Sequence, residues 1–138
     1  MLIGSCLAGI SFLKGLGFVH AISHMVGAEY DTQHGLTNAI VLPVVLRYNL
    51  PSLDEKRNNM ADALGMSDKT SDGFIGEIEA KLDRLNIPKS LGEIGVPFEC
   101  ASRISEKAML DSAASTNPVK GDVASVKALV EKSIKKAR

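Results

Sequence analysis

A chain of 138 residues carrying 16 Lys+Arg against 16 Asp+Glu is one domain by size, with no net charge to draw in nucleic acid or an acidic membrane. Aromatic residues make up 4% with no tryptophan, too few for a base-stacking surface, while 45% hydrophobic residues are ample for a core. Cys6 and Cys100 lie too far apart in sequence to suggest a disulfide framework or a thiolate metal site, and read as reduced, buried thiols of a cytoplasmic protein.

Leu2, Ile3, Cys6, Leu7, Ile10 and Leu13 recur at helical spacing and predict a buried helix from Met1 to about Leu13. The segment is too short and too broken by glycine to cross a membrane, and it lacks the charged start of a signal peptide. No capping residue precedes it, so the chain reads as a cut through a longer one. After Gly15-Leu16-Gly17, a second helix is expected from Phe18 to Val26, ended by Gly27. Tyr30 to Gln33 is a polar turn. His34-Gly35 opens a third helix over about Leu36 to Tyr48, which Pro43 should kink.

Beyond Asn49 the texture becomes charged and amphipathic. Pro51 and Asp54 begin a fourth helix with Leu53, Met60, Ala61 and Leu64 as its buried stripe and Gly65 as its stop. Phe74, Ile75, Ile78, Leu82 and Leu85 line a fifth, ended by Asn86 and Pro88. Ser90 and Glu93 form a capping-box pattern over a short turn. Pro97 starts another helix with Ala101, Ile104 and Ala108 inward. Asn117-Pro118 and Gly121 make a loop, and Asp122 caps a last helix bearing Val123, Val126, Val130 and Ile134. Ile40 to Leu46 is the best strand candidate, but its length and flanks favour helix. The expectation is an all-α bundle of about six or seven helices, with no repeat and no low-complexity linker.

All three histidines fall between Lys14 and Asn49. His20 and His24, four apart in a helix, project from one face. His34 follows a turn that can bring a third imidazole to that face. Neutral imidazole is the commonest ligand of borderline divalent metals, so the spacing by itself fits a three-histidine site with open positions. An HxxxH pair is also a common accident, and a histidine in an apolar helix is more often a core residue donating to a carbonyl.

The same stretch resembles the hallmark region of the iron-containing (group III) alcohol dehydrogenases. That family shows Gly-Leu-Gly-x-Val-His-x-x-x-His-Pro-Leu-Gly-Ala and then His-Gly-x-x-Asn-Ala-x-x-Leu-Pro. Matching positions are Gly15, Leu16, Gly17, Val19, His20, His24, Gly27 and Ala28, then His34, Gly35, Asn38, Ala39, Leu42 and Pro43. Thr116-Asn117-Pro118 before a final helix is also usual there. The resemblance covers essentially the whole chain, but only the family's C-terminal helical domain, part of the dehydroquinate-synthase-like fold. It implies that 1–138 is a C-terminal α-helical metal-binding domain, with the N-terminal nucleotide-binding domain outside this chain.

The resemblance further implies an NAD- or NADP-dependent interconversion of an alcohol with its aldehyde or ketone, with a divalent metal, Fe²⁺ or alternatively Zn²⁺, polarising the hydroxyl. It assigns His20 and His34 as metal ligands and places His24 beside the nicotinamide and substrate as a catalytic, proton-relay group. The family's other two ligands come from a DxxxH-type stretch, and its pyrophosphate site from a Gly-rich turn. Neither is present in these 138 residues. Met25-Val26 stands where the family has Pro-Leu, which removes a helix kink next to His24. By this reading the isolated chain binds metal poorly and turns over no alcohol, and no nucleic-acid or membrane partner is implied, while self-association remains open. The alternative is a stand-alone, non-catalytic helical interaction module with packing histidines. A third reading is an independent three-histidine metalloprotein.

Overall fold

The structure is a computed structural model that describes residues 2–138. Met1, part of the first predicted helix, lies outside the described residues. Those residues form eight α-helices, α1 (Leu2–Ser11), α2 (Phe18–Tyr30), α3 (His34–Asn49), α4 (Asp54–Ala63), α5 (Ser71–Arg84), α6 (Ala101–Leu110), α7 (Ser112–Ser115) and α8 (Val123–Lys135), with no strand among them. The all-α expectation holds. The one-turn α7, which Asp111 caps through the Ala113 N–H, was not foreseen.

The core gathers where α2 packs on α3 and α6, and α8 packs on α6 and α3. Phe18, Ala21, Ile22 and Val26 of α2 recur at three- and four-residue steps and meet Ile40, Val41 and Val44 of α3. Ile104 and Ala108 of α6 and Val126 and Val130 of α8 close the other side, as the periodicity predicts. α3 runs through Pro43 to Asn49, with Gln33 capping its start by accepting the Leu36 N–H. α8 begins with a reciprocal capping box between Asp122 and Ser125. A smaller cluster of Leu50, Ala61, Phe74 and Ile75 holds α4 and α5.

Four expectations need correction. α1 is helical but not buried: Leu2 and Ile3 are 88% and 78% exposed, Cys6 is exposed too, and Leu13, in a 3-10 turn after the helix, is 89% exposed. The α1 segment turns away from α2 by 95° and has no substantial packing against the other α-helices, which leaves its apolar spacing largely uncovered. α2 does not stop at Gly27. It continues to Tyr30, and Asp31 closes it in the left-handed conformation, which a short polar side chain tolerates. Of the stripe expected on α4 only Ala61 is buried, because one narrow contact with α5 and the turn before α4 is all that covers it. Leu85 lies past the end of α5, where its backbone leaves the helix face that buries Leu82, and is largely exposed.

No single helix among the described residues is long and apolar enough to cross a membrane.

Candidate metal and catalytic face

The loop between α1 and α2 and the loop between α7 and α8 meet directly under the first histidine. Gly17 is extended at φ −147° and offers α2 no side-chain cap. The cap arrives from 99 residues away: Asn117 Oδ1 accepts the Phe18 N–H at 3.1 Å. Asn117 also donates to Asn49 Oδ1 at 2.9 Å and to the Val119 carbonyl at 2.7 Å. Thr116 donates to the Leu16 carbonyl. Both glycines are sterically required. A Cβ on Gly17 would sit 2.8 Å from Asn117 Oδ1, and one on Gly15, at φ +96°, would sit 2.6 Å from the Thr116 Cβ. The Gly-Leu-Gly and Thr-Asn-Pro segments are thus two halves of one joint that fixes the start of α2.

From that joint α2 projects His20 and His24 on one face, and the α2–α3 turn returns His34 to it. The ring centroids of His20 and His34 are 5.4 Å apart, those of His20 and His24 5.8 Å, and those of His24 and His34 5.4 Å. All three predicted histidines are therefore brought together, but not equivalently. Asn38 Nδ2 lies 3.0 Å from His34 Nε2 and 3.4 Å from His20 Nε2. Ser23 Oγ lies 2.5 Å from Asn38 Oδ1, so its hydroxyl donates there and turns the amide nitrogen toward the rings. The two hydrogens of that amide reach two bare Nε2 lone pairs, which leaves each ring proton on Nδ1. Burial, followed by the neighbouring His34 and His24 rings, lowers the pKa of His20 and favours its neutral form. Two imidazoles presenting Nε2 to one point suit a divalent metal.

His24 is held differently. Its ring lies nearly parallel to His34, at 17°, and its Nδ1 is 3.0 Å from Asp111 Oδ2. Among the described residues no group of three or more His, Cys, Asp and Glu side chains is arranged to hold a metal ion. The three-histidine reading falls on that geometry, because His24 is stacked and carboxylate-bound rather than converging with the other two. The residues fit half of a ligand set, not a whole one.

The family's C-terminal sequence pattern, that of the "Fe-containing alcohol dehydrogenase family, C-terminal", matches residues 1–134. The chain belongs to this family. It is 34% identical over 130 residues to alcohol dehydrogenase 4 of Saccharomyces cerevisiae, an alignment covering 92% of this chain and 34% of that protein. It is 34% identical over 137 residues to 1,3-propanediol dehydrogenase of Klebsiella pneumoniae, covering 94% and 35%. Among solved structures, a 1,3-propanediol oxidoreductase superposes with a TM-score of 0.81 at 32% identity, over 86% of this chain and 33% of that one. The chain spans about a third of the length of the curated relatives it matches.

Sequence reasoning missed Asp111 and Ser23. Asp111 is 87 residues from its partner, and only its place just before the Thr116-Asn117-Pro118 segment could have drawn attention to it. Ser23 looks like helix filler until Asn38 is seen opposite. Glu29 lies near the end of α2 in a paired cluster: Arg103 donates to it at 2.8 Å and Lys107 at 2.7 Å, and these bonds pull its pKa down to about 2. A cleft of about 400 Å³ between α3 and α8 is lined by Val44, Tyr48, Leu129 and basic side chains.

Proposed function

We propose that the chain is the helical, metal-contributing wall of an NAD(P)-dependent alcohol dehydrogenase that interconverts an alcohol and its aldehyde or ketone. The observation that carries this is the pair of Nε2 atoms, on His20 and His34, within reach of a single amide group on Asn38. In the complete enzyme they supply two of the ligands of a divalent metal, Fe²⁺ or Zn²⁺. The remaining ligands and the nucleotide site come from the other two-thirds that the relatives possess. The exposed apolar residues of α1, Leu2, Ile3, Leu7 and Ile10, support this reading.

When bound, the metal acidifies the substrate hydroxyl and the nicotinamide accepts the hydride. The residues of this chain do the rest. His20 and His34 would hold the ion through Nε2, and burial of His20 favours its neutral form. Ser23 and Asn38 keep the two rings facing one another before metal arrives. His24 stands alongside, off the metal, and takes the hydroxyl proton on its free ring nitrogen. The open cleft that His24 shares with Leu16, Ser112, Ala113 and Thr116 leaves room on that side for a small alcohol.

A chimera in which residues 1–138 replace the corresponding part of the Klebsiella propanediol dehydrogenase tests the proposal. It should hold one Fe²⁺ or Zn²⁺ per chain and oxidise alcohols with NAD(P), and His20→Ala or His34→Ala should abolish the metal content. A folded chimera that binds metal equally well without either ring would overturn it. The 138-residue chain by itself should turn over no alcohol.

A further inference from the structure

Of the features not used above, the α3–α8 cleft has no group that marks a ligand, and the apolar face of α1 belongs with the proposed two-domain enzyme. The carboxylate behind His24 carries more. We propose that Asp111 is a positioning residue: it holds the His24 ring in the Nδ1–H tautomer and so leaves Nε2 as the bare proton acceptor. The inference rests on the reading of His24 as the proton-transfer group.

The carboxylate is anchored at both ends. Oδ1 accepts the Ala113 N–H at 2.8 Å, capping α7, while Oδ2 lies 3.0 Å from His24 Nδ1. Its side chain is only 14% exposed. An ionised carboxylate offers lone pairs and no hydrogen, so the imidazole nitrogen facing it must carry the proton. The proton cannot then be on Nε2 of the neutral ring. Stacking against His34 at 17° limits rotation about the remaining torsion. Tautomer and ring plane are therefore set by groups on α7 and α3, two elements outside α2. α7 is a single turn of four residues, and its packing against α2 delivers the carboxylate to the ring.

The cap and the ring contact can be separated by chemistry. Serine caps a helix about as well as aspartate but is one atom shorter, so Asp111→Ser keeps α7 while losing His24. The measurement is the ¹⁵N–¹H correlation spectrum of the imidazole rings in the 138-residue chain, at a pH where the rings are neutral. Wild-type His24 should show a protonated Nδ1 and a bare Nε2. Asp111→Ser should shift His24 toward the Nε2–H form, with His20 and His34 unchanged. A wild-type His24 protonated on Nε2, or a His24 tautomer untouched by the substitution, would overturn the inference. If the variant fails to fold, the wild-type ring alone decides. This readout needs no turnover, so it stands apart from the role of His24 in the reaction. That role is tested by His24→Asn in the chimera, where undiminished turnover would remove the underlying reading and leave the tautomer result intact.

Discussion

Replacing Asn117 by alanine should cost this domain a large part of its stability, and the size follows from its bonds. Asn117 is 3% exposed. Its Oδ1 accepts from Phe18 N and, at 3.2 Å, from Asn49 Nδ2, and its Nδ2 donates to Asn49 Oδ1 and the Val119 carbonyl. Each such bond contributes about 1 kcal/mol net, and the Phe18 N–H and the buried Asn49 amide would be left without partners at about 1–3 kcal/mol each. Water can enter part of the vacated space, so the expected loss is roughly 3–5 kcal/mol. Against a typical total of about 5–15 kcal/mol this is a severe change. Urea unfolding followed by circular dichroism reads it as a lowered midpoint at constant m-value. Asn117→Asp keeps both acceptor contacts but turns a carboxylate oxygen toward Asn49 Oδ1 and the Val119 carbonyl in a buried site, so it should destabilise at least as much as alanine. A loss below about 1 kcal/mol for alanine would refute the view that one amide ties the Gly-Leu-Gly segment, α3 and the last loop together.

Three further outcomes follow from particular contacts. Gly15→Ala should destabilise by more than about 1 kcal/mol in the same assay, because φ of +96° and the Thr116 side chain both resist a Cβ. Ile22→Ala, fully buried, should cost about 2–5 kcal/mol, whereas Leu2→Ala on α1, 88% exposed, should stay within about 0.5 kcal/mol in the isolated chain; equal losses would contradict the exposure of α1. Glu29 is held at about 2 in the fold against an ordinary 4.5, so its ion-pair contribution is present above pH 4.5 and fades as the pH falls toward 2. Thermal melts from pH 7 to 2.5 should therefore show a shallower acid-side decline for Glu29→Gln than for wild type, and parallel curves would refute the pairing.

Where an element carries its own partner pattern, the sequence was enough. α8 was legible because Asp122 and Ser125 form a local cap and Val126, Val130 and Ile134 share a stripe. α5 was legible for the same reason. What failed were statements about what lies across from an element. Helical spacing in α1 says that one face is apolar, not that anything covers it. Met60 and Leu64 sit on a helix that barely touches its neighbours. Gly27 was taken as a stop because glycine usually is one, yet Glu29, bound to Arg103 and Lys107, keeps the last turn of α2 in place. The histidines themselves were readable from spacing and motif. Asn38 was readable as well, as a motif position one turn from His34, but Ser23 and Asp111 were not, because their bonds to Asn38 and His24 span 15 and 87 residues and leave no local trace.

The most direct test is a Zn²⁺ titration of the 138-residue chain, followed through the imidazole resonances. The His20 and His34 signals should move together, with half-saturation far above the protein concentration, and His24 should respond only as a neighbour. Stoichiometric saturation involving all three rings, or His20 and His34 responding at different Zn²⁺ concentrations, would contradict a shared half-site completed by the rest of a dehydrogenase.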